Sequence, residues 1–70
     1  MRNAEAINLI HDSLMNGQRR QMCDQIDEHF IPSDFWSLYL EFLRTTYEEG
    51  ESVLSYFSDA VISYSRIRGR

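Results

Sequence analysis

Three features of the sequence predict an all-α fold, a bundle of three to four short helices. Apolar residues recur at i, i+3, i+4 and i+7 along most of its 70 positions. The single proline and the three glycines fall between those periodic runs or at their ends, where they act as breakers. Nine aromatic residues (Phe30, Phe35, Trp36, Tyr39, Phe42, Tyr47, Tyr56, Phe57 and Tyr64) could fill a dense core, each burying on the order of 150–250 Å². One helical domain over residues 1–70 is expected, with helices at about 4–15, 18–30, 34–48 and 52–66 and a basic tail at 66–70.

In the first helix, Ile7, Ile10 and Leu14 with Ala6 form one apolar face, and Asn8, Asp12 and Asn16 line the other. Asn3 is the candidate N-cap, and Glu5 suits the positive end of the helix dipole. Asn16-Gly17 is expected to end the helix, because glycine adopts the left-handed conformation without penalty.

Met22, Ile26 and Phe30 give the second helix its stripe, with Cys23 beside it. Pro32 stops that helix by excluding its predecessor from helical geometry. Ser33 is the candidate cap of the third helix, where Phe35, Trp36, Leu38, Tyr39, Leu40, Phe42, Leu43 and Tyr47 spread over more than half the circumference. That arc is wider than a surface helix carries, so this helix should be central or part of an interface, with Trp36 largely buried.

The Glu48-Glu49-Gly50-Glu51-Ser52 stretch interrupts the pattern. Glu51 or Ser52 is expected to open a fourth helix whose core face is Val53, Phe57, Ala60, Val61 and Tyr64, with Tyr56 and Ile62 off the stripe. If a helix tolerates Gly50, the last two segments could instead merge into one long helix that needs a dimer partner.

A chain this short buries only about 60% of its unfolded surface, so its core is small. Cys23 is the one cysteine, which excludes an internal disulfide and leaves aromatic packing or a homodimer as compensation. The opening MRNAEAINLI meets Glu5 and Asp12 without a long apolar run, so neither an export signal nor a membrane span is expected, and the cytoplasm is the expected compartment.

Charge is unevenly distributed around a net of −4. Residues 24–59 hold Asp24, Asp27, Glu28, Asp34, Glu41, Glu48, Glu49, Glu51 and Asp59 against one base, Arg44, whereas Arg66, Arg68 and Arg70 crowd the other end. Such an acidic block repels phosphate and argues against nucleic acid as a partner. The two helices around Ile31-Pro32-Ser33 do not read as a DNA-binding pair, because the second offers aromatic and acidic side chains rather than basic ones.

The catalytic and metal-binding classes find no support. Cys23 and His29 are six apart and match no ligand spacing, and no Glu-x-x-His pair, glycine-rich phosphate loop or serine elbow occurs. No cofactor is expected, and Cys23 reads as a small core hydrophobe. What remains is a non-catalytic protein-interaction module, a small stand-alone inhibitor or adaptor that binds a larger protein or protein complex. Phage and mobile-element genomes encode many proteins of this type. The expected partner-binding residues are Asp34, Glu41 and Glu48, seven apart on one face of the third helix, with Glu49 and Tyr56 beside them. The alternative is a nucleic-acid-directed regulator, either an acidic DNA mimic or a weak binder through its arginine tail.

Overall fold

The computed structural model describes residues 2–48 and 50–69, with the side chains of Arg2 and Glu51 left aside. Four α-helices follow one another: α1 (Arg2–Met15), α2 (Arg19–His29), α3 (Pro32–Thr46) and α4 (Glu51–Arg68). No strand occurs among the described residues, and the all-α bundle is the fold of the chain.

The connections are short and each has a local cause. Gly17 adopts φ 77° after α1. Its N–H donates to the Leu14 carbonyl at 3.0 Å and the Gln18 N–H to the Ser13 carbonyl at 2.8 Å, the paired bonds that close a helix on a left-handed glycine. Pro32 occupies the first turn of α3, where its missing N–H costs nothing and its fixed φ suits a helix. Gly50, at φ 138°, precedes α4, so α3 and α4 are separate helices.

The starts of three helices correct the capping expected from side-chain chemistry. α1 already includes Arg2, which puts Asn3 inside the first turn. Ile31 is the residue before α3, and its carbonyl accepts from the N–H groups of Asp34 and Phe35 at 2.8 and 3.1 Å; Ser33 therefore lies within the helix. α4 begins at Glu51, the first of the two expected openers, so Gly50 precedes it and Ser52 lies within the helix rather than capping it. In α3 the proline ring prevails over the serine hydroxyl because it fixes the backbone directly.

α1 and α2 form a hairpin, and α2 packs against α4, which in turn packs against α3. The core joins Ile7, Ile10 and Leu14 of α1, Met22, Cys23 and Ile26 of α2, Phe35, Tyr39 and Leu43 of α3, and Val53 and Ala60 of α4. Phe35, Tyr39 and Leu43 are the residues of the α3 arc with no exposure. Trp36 is partly buried and packs against the core without being fully enclosed. It lies on the flank of α3, with its ring 6.0 Å from Phe57 and 5.7 Å from Tyr64 of α4.

Two polar ties fasten α4 to α2. Arg19 grips both carboxylate oxygens of Asp59 at 3.1–3.2 Å, and its Nε donates to the Ser63 hydroxyl at 3.0 Å. At the other end, Arg68 reaches Asp27 at 2.7 Å and Asp24 at 3.1 Å, while the Tyr64 hydroxyl donates to Asp27 at 2.6 Å. Arg68, one of the tail arginines that could have met phosphate, is thus engaged within the fold, as is Arg19. These carboxylates also hold the Arg68 guanidinium firmly in its charged form.

Candidate functional site

Asp24, Asp27 and Asp59 are neutralised by the arginines of α2 and α4, so the exposed negative potential comes from the remaining acids. Asp34, Glu41 and Glu48 are exposed and form no salt bridge among the described residues. Asp34 and Glu41 share one side of α3. Glu48 lies beyond the helix, which corrects the expected three-point stripe: the chain leaves α3 at Tyr47 in extended geometry, φ −116° and ψ 146°. Glu49 lies outside the described residues.

Apolar surface borders this edge. Ile31 is 67% exposed and Leu38 38% exposed. Asp34, Leu38 and Glu41 follow one another at steps of four and three, the spacing of a single helical face, and Ile31 stands just before the helix. Phe42, one turn beyond Leu38, is half-buried. Sequence reasoning placed Leu38 in the α3 arc but gave Ile31 no role. Its position beside Pro32, where no helix covers it, was the available signal.

Tyr56 is half-buried rather than an open anchor. Its ring lies 5.0 Å from Tyr47 and 5.6 Å from His11. The His11 ring in turn lies 5.3 Å from Phe42. Ring contacts therefore run without a break from Tyr56 on α4, through Tyr47 and His11, to Phe42, whose neighbour along the helix is Leu38.

His11 at the centre of these contacts is the residue that sequence reasoning missed. It is only 6% exposed. Its Nδ1 lies 2.8 Å from the Tyr39 hydroxyl and its Nε2 2.8 Å from the Tyr47 hydroxyl. Burial lowers its pKa from the ordinary 6.5, partly opposed by the neighbouring Asp12 carboxylate. Burial also raises the Tyr39 hydroxyl well above its usual range. His11 occupies the apolar edge of α1, one residue after Ile10, which was a weak signal at best.

No cluster of three or more His, Cys, Asp or Glu residues suited to a metal ion occurs among the described residues. Cys23 is wholly buried and burial pushes its thiol up, whereas His29 is exposed, so the two do not form a nucleophile–base pair. Two shallow surface clefts, of about 330 and 290 Å³, lie at the lower limit for a small-molecule site. One is lined by Arg44, Gly50, Val53 and Leu54 and the other by Glu5, Ala6, Leu9 and His29. No described helix is long and apolar enough to cross a membrane. Comparison with protein-family models, with curated proteins and with solved structures yields no match for this chain.

Proposed function

We propose that this chain is a non-catalytic protein-interaction module, a small cytoplasmic inhibitor or adaptor that docks on a larger protein through the outer edge of α3. The observation that carries this reading is the division of the acids into two sets. Asp24, Asp27 and Asp59 are held in internal ion pairs, whereas Asp34, Glu41 and Glu48 have none among the described residues, and Asp34 and Glu41 lie within one turn of the exposed Leu38 on α3. An apolar strip supplies affinity when it is desolvated, and a charged border supplies orientation and association rate. The complementary partner surface carries a shallow apolar hollow flanked by lysine or arginine. Tyr56 and Tyr47 extend the strip at its far end.

The second reading, an acidic mimic of nucleic acid, draws on the same unpaired carboxylates. Binding to a partner captured from the native host and then purified separates the two. For an interaction module, Leu38→Ala and Tyr56→Ala weaken binding more than Glu41→Gln combined with Glu48→Gln, and salt has a modest effect. For a mimic the order reverses and affinity falls steeply with ionic strength, because exposed charges are screened over about 10 Å at 0.1 M salt. If none of these substitutions alters binding while the helical fold is retained, the site lies elsewhere.

A further inference from the structure

The Tyr39 side chain has no exposure, and its hydroxyl has one hydrogen-bond partner among the described residues, Nδ1 of His11. A buried phenol proton requires an acceptor. A neutral imidazole has one donor and one acceptor nitrogen. If Nδ1 carried the hydrogen, it would donate to Tyr39 and leave the buried phenol proton with nothing to accept it. Nδ1 is therefore the acceptor, Tyr39 donates, and Nε2–H donates to the hydroxyl of Tyr47. Tyr47 is half-buried, so its own proton can reach water. Every polar atom of the site is then satisfied, consistent with the absence of unpartnered buried side-chain nitrogen and oxygen atoms among the described residues.

We propose that His11 is an acid-sensitive latch: as the neutral Nε2–H imidazole it joins α1 to Tyr39 of α3 and to Tyr47 at its C-cap, and protonation at Nδ1 breaks the bond to Tyr39 while Nε2–H still donates to Tyr47. A proton on Nδ1 meets the hydroxyl proton of Tyr39 head-on. The phenol must turn away, and its hydrogen then has no acceptor in a closed site. The groups facing the ring decide the balance. From α1, the Asp12 carboxylate favours the cation. From α3 and its cap come the neutral hydroxyls of Tyr39 and Tyr47 and the Phe42 ring, and from α4 the Tyr56 ring. Asp12 is the one formal charge in this set, and desolvation outweighs it.

The direction of the pH effect follows. The folded state holds His11 below its ordinary 6.5, so the unfolded chain binds the proton more readily. Stability from the latch is complete above that value and is lost as pH falls from it towards the folded pKa. Acid therefore loosens the hold of α1 on α3 at Tyr39.

Histidine ¹⁵N chemical shifts in the otherwise unchanged chain test the latch, with His29→Gln removing the second imidazole from the spectrum. The expected result is the Nε2–H tautomer near neutral pH and a His11 midpoint below 6.5. In Tyr39→Phe the donor to Nδ1 is gone, and the midpoint should rise. Should that variant not fold, Tyr47→Phe keeps the Tyr39 donor and should preserve the tautomer. Between about pH 7.5 and pH 5, where histidine titrates, the melting temperature should fall more in the parent than in His11→Gln. An Nδ1–H tautomer, a midpoint at or above the ordinary value, or an equal acid loss in His11→Gln would overturn the proposal.

Discussion

Truncating Phe35 should cost this bundle more than truncating its single tryptophan. Phe35 has no exposure, and its ring centroid lies 5.2 Å from Phe30, 4.9 Å from Trp36 and 5.2 Å from Tyr39. A buried Phe→Ala change costs about 3–5 kcal/mol. At roughly 0.05–0.15 kcal/mol per residue, the whole domain is stable by only about 3.5–10 kcal/mol. Phe35→Ala should therefore consume a third of the stability or all of it. At about 4–8 °C per kcal/mol for a domain of this size, the melting temperature should drop by about 12–40 °C. Trp36 is less completely buried than Phe35, so Trp36→Ala should cost less, about 2–3 kcal/mol. Urea denaturation followed by circular dichroism near 222 nm measures both variants without relying on tryptophan emission. A larger loss for Trp36→Ala would refute the ranking and return the tryptophan to the centre of the core.

Two further outcomes follow. Gly17→Ala should destabilise by about 1–2 kcal/mol in the same urea measurement, because the site is sterically open and the penalty is that of the left-handed backbone alone. Tyr64→Phe should raise the Asp27 pKa, since the tyrosine hydroxyl is the largest influence holding that carboxyl below its usual range, with Arg68 assisting against burial. Carboxyl ¹³C titration reads this shift. Asp27 contributes stability above its ordinary 3.8 that disappears as pH falls through the folded value, so the variant should also lose less stability on acidification.

Local signals account for most of what was legible. Gly17, Pro32 and Gly50 mark the chain breaks through their own backbone restrictions or freedoms, and the apolar periods of α1 and α2 identify buried faces without knowledge of any neighbour. What escaped depended on distant partners. The tyrosines that enclose His11 lie 28 and 36 positions away. The aspartates of Arg19 and Arg68 lie 40 to 44 positions away, and no charge count separates an acid that meets an arginine from one that meets water. The same limit explains the site: Asp34, Glu41 and Glu48 resemble Asp24, Asp27 and Asp59 in sequence, and only the fold divides them.

The placement of Trp36 makes the chain its own optical probe. It is the one tryptophan, and its ring neighbours are Phe35 and Tyr39 of α3 and Phe57 and Tyr64 of α4. Tyr39 and Tyr64 lie 6.5 and 5.7 Å away, close enough for excitation absorbed by either phenol to pass to the indole. The folded chain should therefore emit as tryptophan even when tyrosine is excited, and separating α3 from α4 should bring back tyrosine light. The α1–α2 hairpin contributes nothing to these ring pairs, so the two halves of the bundle can be followed separately, by emission for one and by backbone amide exchange for the other.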